Sequence, residues 1–164
     1  MRKRTIEDYV ELVYIIQNEK DKVHTNDIAS AFNINPASVT EVFQKLSQEG
    51  YINYKKYLGV TLTSKGKKIA LNIKNKHETL RDFLILLGVN EKIADEDACK
   101  IEHNVNKETM DKLRKFVEFA KLQDGCSRWL DHFRYYDKTG DYVICTPKDQ
   151  DNCPVHKKQK KLKI

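Results

Sequence analysis

The segment that decides the fold spans residues 25–50 and reads TNDIASAFNINPASVTEVFQKLSQEG. In its second half, apolar side chains recur at i, i+3, i+4 and i+7: Val39, Val42, Phe43 and Leu46. This spacing predicts a helix with one buried face, which begins at Pro36 and ends at Gly50. Thr25 is the predicted N-cap of a shorter helix that precedes it.

The flanking segments complete a known order of elements. Apolar residues at helical spacing predict a first helix over residues 5–19. Residues 51–54 and 60–62 read as two short strands, joined by a turn that contains Gly59. Helix, short helix, helix and hairpin follow one another in a winged helix-turn-helix, so we predict that fold for residues 1–70.

Polar and basic side chains in this unit suit DNA. Short polar groups at the start of a recognition helix lie closest to base edges, and lysines at a wing contact phosphates. The predicted DNA-binding residues are Asn35, Pro36, Ala37, Ser38, Thr40, Glu41, Gln44, Lys45, Lys55, Lys56, Ser64 and Lys65. The alternative is a basic surface that serves protein contacts.

Helical periodicity dominates the rest of the chain. An apolar stripe predicts a long helix from Ser64 to Gly88, and two more helices follow over residues 93–103 and 110–120. We therefore predict a mainly α protein, in which residues 71–124 form an all-helical domain. Residues 125–164 form a short irregular extension that contains cysteines, with one short helix over residues 126–133 and a basic, disordered tail.

Charge is distributed unevenly along the 164 residues, which carry a net charge of +6. Residues 1–70 carry +3, residues 71–124 carry −1 and residues 125–164 carry +4. No window of 18 uncharged apolar residues occurs, and the start MRKRTIED lacks the apolar core of a signal peptide. We expect a cytoplasmic protein that binds an anionic partner and no membrane, with an acidic centre that binds something else.

The acidic centre contains metal-ligand residue types at helical spacing. Cys99, Glu102 and His103 stand at i, i+3 and i+4, so they share one helix face. Asp8 and Glu11 are spaced by three on the first helix. A thiolate, carboxylates and an imidazole together can bind a divalent transition ion, although each cluster alone is a weak signal. His77, within an apolar stripe, reads by itself as a core histidine.

Four segments together resemble one family. Residues 97–103 (DACKIEH), 7–11 (EDYVE), 36–46 (PASVTEVFQKL) and 62–66 (LTSKG) are similar to the diphtheria toxin repressor and manganese transport regulator family of metal-dependent transcription factors. The likeness extends from Thr5 to Leu122 with the family's spacing. It implies a homodimeric repressor that binds palindromic operators when a divalent metal is bound. It makes residues 71–124 the metal-binding and dimerisation domain, and it adds His77 to the predicted ligands.

The resemblance predicts function but leaves the metal open. Six predicted ligands divide between the DNA-binding and dimerisation halves: Asp8, Glu11, His77, Cys99, Glu102 and His103. A metal bound by ligands from both halves would fix the distance between the two winged-helix domains of the dimer. The resemblance also implies that such a repressor controls metal-uptake genes. Asp8 suits Mn(II), whereas the Cys99 thiolate favours Fe(II), Co(II) or Zn(II). An ancillary site of the iron-responsive branch needs an acid where this chain has Arg81, so we expect that site to be absent or altered.

The extension has no family template. Cys126, Cys145, Cys153 and His156 would suit a structural zinc site, and residues 153–156 have ligand spacing. Unpaired thiols are the main alternative, and a redox-sensing thiol pair is another. Reduced thiols fit a chain without a signal peptide.

Two other functional classes compete with a metal-dependent repressor. An enzyme is disfavoured, because His77-Glu78 lacks the second histidine of a zinc-protease helix and no glycine-rich phosphate loop occurs. We therefore expect neither catalysis nor a small-molecule substrate. The second alternative is a winged-helix regulator of redox state or of an organic ligand, in which the polar cluster is structural.

Overall fold

A computed structural model describes residues 3–20, 22–122, 128–144, 153 and 155. The elements, in chain order, are α1 (Lys3–Glu19), α2 (Thr25–Phe32), α3 (Pro36–Gln48), β1 (Ile52–Lys55), β2 (Gly59–Leu62), α4 (Ser64–Leu86), α5 (Glu91–Ile101), α6 (Lys107–Leu122) and α7 (Arg128–Thr139). Among these described residues, no helix is both long and apolar enough to cross a membrane. The mainly α prediction is confirmed.

A single apolar core holds the winged helix together. Val39, Phe43 and Leu46 of α3 are buried, as their spacing predicts. They pack with Val10 and Val13 of α1 in one cluster. β1 and β2 pair antiparallel, with Ile52 opposite Leu62, and an isolated bridge joins Val23 to Val60. Burial of this apolar surface fixes α3 against the hairpin, so the opposite face of α3 remains in solvent.

N-capping residues determine where α2 and α3, the two helices of the helix-turn-helix, begin. The Asn35 side chain accepts a hydrogen bond from the Ala37 backbone N–H at 2.8 Å, and Pro36 occupies the first turn of α3. The predicted N-cap at Thr25 is wrong by one residue. His24 is the cap, and its backbone N–H donates to the Asp27 carboxylate at 2.8 Å. A histidine at this position gives no sequence signal, whereas the acid three residues later does.

The second half is built on α4, which runs without interruption from Ser64 to Leu86. The predicted domain boundary at residue 70 therefore falls inside a helix that packs against both α1 and α5. Leu80, Ala98 and Met110 form a small buried cluster among α4, α5 and α6. Asn90 caps α5, which ends at Ile101, two residues earlier than its pattern predicts. This early end places Glu102 and His103 just beyond the helix.

The extension contains a longer helix than predicted. α7 continues to Thr139, six residues beyond the predicted end. Its Trp129 ring packs edge-on against Phe116 of α6 at 5.7 Å between centroids, and Phe116 contacts Phe83 of α4. These ring contacts place α7 beside the helical half. The predicted zinc ligands Cys126, Cys145 and His156, and the lysine-rich tail, lie outside the described residues.

Candidate metal centre and DNA-binding surface

The centre forms where α1 passes the end of α5. Tyr9, Val10 and Val13 bury one side of α1 in the winged-helix core, which leaves Asp8 and Glu11 toward α5. Glu102 is the C-cap of α5, and its backbone N–H donates to the Ala98 carbonyl. Helix geometry and core packing thus bring together side chains that lie about ninety residues apart in the sequence.

Carboxylates surround the His103 imidazole. Its Nε2 lies 3.3 Å from Asp8 Oδ1, 3.3 Å from Glu102 Oε1 and 4.0 Å from Glu11 Oε2. Ligand atoms of Glu11, Glu102 and His103 all lie within 4.8 Å of one another. Two of these three residues come from the dimerisation half and one comes from the DNA-binding half, so the group spans the two predicted domains.

Glu102 is the most buried acid of the centre. It is fully buried, and its Oε1 accepts no hydrogen bond among the described residues. Its Oε2 lies 2.9 Å from His77 Nδ1. Burial raises the pKa of Glu102, although His77 and His103 oppose the rise. A carboxylate oxygen without a hydrogen-bond donor is costly inside a protein, and a bound cation would satisfy it.

Glu11 shows the same electrostatic strain. Burial raises its pKa to about 7, with a further contribution from the negative charge of Glu102. The two histidines pull in the opposite direction but do not restore the ordinary value. The imidazoles of His77 and His103 therefore do not fully compensate the burial and the mutual repulsion of these carboxylates.

Glu7 is a functional candidate that the sequence reasoning missed. It is buried, and its Oε2 lies 3.1 Å from His103 Nδ1. With Nδ1 held by this carboxylate, the Nε2 atom is directed toward Asp8, Glu11 and Glu102. A carboxylate in this position fixes the tautomer and the ring orientation of a ligating histidine. The only sequence signal is an acid four residues before Glu11.

A second missed acid, Asp95, holds His77 from the other side. His77 Nε2 lies 3.0 Å from Asp95 Oδ1. Burial alone would lower the pKa of His77, but the Asp95 hydrogen bond and the Glu102 charge outweigh it and raise the pKa. Arg81 pairs with Glu91 and lies 3.6 Å from Asp95. Arg81 is therefore engaged in ion pairs at the position where the family's ancillary site would need an acid.

Cys99 lies at the margin of the centre. It is an exposed free thiol and does not belong to the group of three residues that lies within 4.8 Å. Partial burial raises the pKa of its thiol, and the charges of Glu102 and Glu11 raise it further. It nonetheless lines one open cavity of about 680 Å³ together with Asp8, Glu11, His77 and His103. Five predicted ligands thus border one cavity, and the sixth, Glu102, lies buried beside them.

These residues fit a divalent transition metal. Carboxylate oxygens, imidazole nitrogens and one nearby thiol are donors to Mn(II), Fe(II), Co(II) and Zn(II). Glu11, Glu102 and His103 would hold such an ion, with Asp8, His77 and Cys99 within the same cavity. The unsatisfied Glu102 oxygen supports this assignment on grounds independent of any sequence likeness.

The candidate DNA-binding surface lies on the exposed side of α3 and the hairpin. Ala37, Ser38, Glu41, Gln44 and Lys45 are exposed, whereas Thr40 is half-buried and donates to the Pro36 carbonyl. Lys55 ends β1 and Lys56 lies in the turn, both in solvent. Two predicted contacts have structural roles as well: Asn35 caps α3, and Lys65 donates to the Glu49 carbonyl at 2.8 Å.

A winged helix joined by a potential metal centre to a helical domain defines a metal-dependent transcriptional regulator. Residues 1–60 match the model described as "Iron dependent repressor, N-terminal DNA binding domain". Residues 63–126 match "Iron dependent repressor, metal binding and dimerisation domain". The chain belongs to this family of metal-dependent repressors, which confirms the predicted resemblance and fold.

Known relatives agree with this membership. An uncharacterised HTH-type transcriptional regulator of Methanocaldococcus jannaschii is 42% identical over 120 residues, which is 72% of this chain and 96% of that protein. The HTH-type transcriptional regulator MntR of Geobacillus thermodenitrificans is 41% identical over 115 residues, 70% of this chain and 82% of the relative. Both relatives are named as HTH-type transcriptional regulators.

Solved structures show the same fold. A manganese-dependent transcriptional repressor in complex with manganese superposes with a TM-score of 0.63 and 27% identity. The match covers 70% of this chain and 53% of that chain. This chain therefore spans about half the length of the solved repressor.

Proposed function

We propose that this protein is a homodimeric repressor of metal-uptake genes, activated by Fe(II) or Mn(II) that binds at the centre between α1 and α5. The single observation that carries this proposal is the buried Glu102 carboxylate. Its Oε1 accepts no hydrogen bond from any described residue, and it lies 3.3 Å from Nε2 of the imidazole that also contacts Asp8 of the DNA-binding half. A repressor acts where the DNA is, which in this proposal is the cytoplasm.

The centre would couple the two halves through its ligands. A bound divalent cation would supply positive charge at the point where Glu11 meets Glu102. Asp8 and Glu11 belong to a helix that packs on the winged-helix core, whereas Glu102 and His103 follow α5 of the helical half. Side chains from both halves would then share one geometry, which restricts how the winged helix sits on α4 and α5. Coordination free energy biases the equilibrium toward that conformer.

A fixed conformation matters because the two winged-helix domains of the dimer must bind one operator at the same time. Recognition helices of a two-fold dimer enter successive major grooves about 34 Å apart. The helical half leaves Phe119 and Leu122 of α6 exposed, which supports a self-association surface in that half. Exposed Ser38, Gln44 and Lys45 of α3 would read base edges, and Lys55 and Lys56 would contact phosphates.

The donor set favours a hard or borderline divalent ion. The carboxylate oxygens of Asp8, Glu11 and Glu102 suit Mn(II), and the imidazole nitrogens of His77 and His103 suit Fe(II), so the donors favour neither ion over the other. The exposed Cys99 thiol at the margin would strengthen binding of Fe(II), Co(II) and Zn(II). Intrinsic affinity follows the Irving–Williams order, so the metal that acts in the cell depends on geometry and availability.

An anaerobic DNA-binding titration tests the proposal. Duplexes selected from a random pool with Mn(II) present would be titrated with the protein in EDTA, Mn(II), Fe(II) or Zn(II), with fluorescence anisotropy as the readout. We expect tight binding with Mn(II) or Fe(II) and loss of specific binding in EDTA. Equal binding with and without metal would contradict the proposal and favour a regulator of redox state or of an organic ligand.

A further inference from the structure

The tip of the hairpin presents two large hydrophobic side chains to solvent. Residues 56–58 form the turn between β1 and β2, and Leu58 closes it by donating its backbone N–H to the Lys55 carbonyl at 3.0 Å. Tyr57 is 86% exposed and Leu58 is 58% exposed. In the described part of the chain, no large hydrophobic side chain is more exposed than Tyr57. Neither residue belongs to the winged-helix core, so packing does not account for hydrophobic residues at this tip.

The backbone at the tip is also unusual for an aromatic residue. Tyr57 has a φ angle of +68°, in the left-handed region that glycine, asparagine and aspartate tolerate best. Residues held in such sparsely populated conformations cluster at functional contacts. The chain thus keeps an exposed aromatic ring at a position where asparagine or glycine would fit the turn with less strain.

The base of the hairpin is fixed to α1 and to the segment that follows it. The Gln17 Oε1 atom of α1 accepts a hydrogen bond from the Leu62 backbone N–H at 3.0 Å. Val23 and Val60 exchange two backbone hydrogen bonds, of 3.3 and 2.8 Å. A Cβ added at Gly59 would lie 3.1 Å from the Val23 carbonyl oxygen, so the two segments are in close contact. The tip is therefore held on a firm base by the same helix that contributes to the proposed metal centre.

The charge around the tip indicates an anionic partner. Lys55 and Lys56 are exposed beside it, and the Lys56 Nζ atom lies 5.1 Å from the centroid of the Tyr57 ring. Residues 51–63 contain no acidic side chain. The minor groove of DNA has walls of phosphate, and it accepts hydrophobic side chains as wedges between base steps. A second copy of this basic hairpin would instead be repelled by like charge.

We propose that Tyr57 and Leu58 enter the minor groove of the operator, beside the base pairs that α3 contacts in the major groove. Leu58 has no hydrogen-bonding side chain, so its sequence preference arises from the energy needed to deform the base steps around it. Pyrimidine–purine steps such as TA deform most easily, and we expect them in the flank of each half-site. The inference rests on the proposed function, because it needs a winged helix bound to an operator. It adds a specificity element that phosphate contacts of lysine do not supply.

Diaminopurine in place of adenine tests the groove that the tip occupies. The added amino group lies in the minor groove, as that of guanine does, and leaves the major-groove pattern of the base pair unchanged. The duplex selected with Mn(II) would carry this substitution only in the flanks of its half-sites, and the full-length protein would be titrated by fluorescence anisotropy. We expect the substituted duplex to bind about 10-fold more weakly, the scale of one unfavourable base pair. Equal affinity for the two duplexes would overturn the proposal.

Substitutions at the tip separate groove contact from a role in folding. Tyr57→Asn fits the left-handed backbone, and together with Leu58→Ser it removes both exposed hydrophobic side chains without loss of thermal stability. This double variant should bind the unmodified duplex about 10-fold more weakly and should lose its sensitivity to diaminopurine. Tyr142→Asn with Ile144→Ser is the matched control, since these residues are 80% and 77% exposed in the extension. If the tip variant binds as tightly as the control, the tip serves a protein contact and the proposal is wrong.

The salt dependence of binding distinguishes this contact from phosphate contacts. Loss of two uncharged side chains should leave the slope of log affinity against log salt unchanged, because no counterion release is lost. A reduced slope in the tip variant would contradict a contact made by the hydrophobic side chains themselves.

The repressor proposal and the wing-tip proposal fail in different ways. Tight binding of the parent in EDTA would contradict activation by metal, and the comparison of adenine and diaminopurine flanks would still decide the role of the tip. Metal-dependent binding without any sensitivity to the flanking substitution would overturn the wing-tip proposal alone.

Discussion

The DNA-binding half and the helical half are stabilised in different ways. A continuous apolar core that includes Val13, Phe43 and Leu46 holds α1, α2, α3 and the hairpin together. The helical half has only a small cluster of Leu80, Ala98 and Met110, and it contains the fully buried Glu102. The first half has a continuous apolar core, whereas the buried Glu102 of the second half lies close to Glu11 of the first and forms with it an electrostatic defect that a cation would remove. Regulation by metal fits a defect that acids of both halves share.

Among the changes that test this difference between the halves, removal of the buried Glu102 charge should have the largest effect on metal affinity. Glu102→Gln keeps the shape of the side chain but removes the negative charge, so we expect Mn(II) affinity to fall at least about 100-fold. The free energy of unfolding of the metal-free protein should not fall, because an under-compensated buried charge is lost. Isothermal titration calorimetry and thermal denaturation measure the two quantities.

The matched control for this change is Glu96→Gln, an exposed glutamate on α5, the helix that Glu102 follows. It should alter neither metal affinity nor stability measurably. A metal-free Glu102→Gln protein that is much less stable than the parent would show that Glu102 serves packing and not metal binding.

Loss of the carboxylate that orients His103 should have the next largest effect. Glu7→Gln leaves the proposed ligands intact but weakens the hold on Nδ1 at 3.1 Å, so we expect metal affinity to fall about 10- to 100-fold. Glu19→Gln, at the exposed end of α1, is the control. Competition with a fluorescent chelator would measure the metal affinity of both variants. Equal affinities for Glu7→Gln and Glu19→Gln would show that Glu7 does not support metal binding.

A change of pH should act through the same acidic centre. Glu11 has a pKa of about 7 in the metal-free fold, and Asp8, Glu102, His77 and His103 contribute the charges around it. Below pH 7 a metal ion must displace the proton, so affinity should fall up to about tenfold per pH unit for each proton displaced. Titration calorimetry in buffers of different ionisation enthalpy would count the protons released.

The stability of the metal-free protein should change with pH in the opposite direction to its metal affinity. Because the pKa of Glu11 is raised from 4.5, the metal-free native state binds more protons than the unfolded state between about pH 4.5 and 7. The contribution of Glu11 to the stability of the metal-free protein should therefore fall as pH rises through this interval. Glu11→Gln should flatten that part of the profile, and an unaltered profile would count against the crowded-acid account.

The smallest effect should be confined to the DNA-binding half. Replacement of Lys55 and Lys56 by Ala should reduce the slope of log affinity against log salt by about 1.8, at roughly 0.9 per phosphate contact. Metal affinity should remain unchanged, since neither lysine contributes to the acidic centre. Lys112→Ala with Lys115→Ala, both exposed on α6, is the control pair, and an equal slope in both double variants would exclude the wing from the interface.

Much of the fold follows from local patterns. The spacing of Val39, Phe43 and Leu46 predicts the buried face of α3, because helix burial repeats every three or four residues. The early end of α5 and the length of α7 were not predicted, since caps and the ring contact of Trp129 with Phe116 decide them. Element boundaries depend on such tertiary contacts more than on periodicity.

The site was less predictable than the fold. Helical spacing places Asp8 with Glu11, but only the packing of both α1 and α5 on α4 brings Glu7 to His103, 96 residues away. Asp95 was missed for the same reason, since it contacts His77 on another helix. The resemblance to a family was needed to assign His77, whose position in an apolar stripe reads as core.

The central claim is that one cation joins α1 to the end of α5. Anomalous diffraction at the manganese absorption edge, from crystals of the full-length protein grown with Mn(II), tests it most directly. The account predicts a peak within coordination distance of Glu11 on α1 and of both Glu102 and His103 beyond α5. A peak bound by residues of one half alone, or no peak at this position, would contradict it.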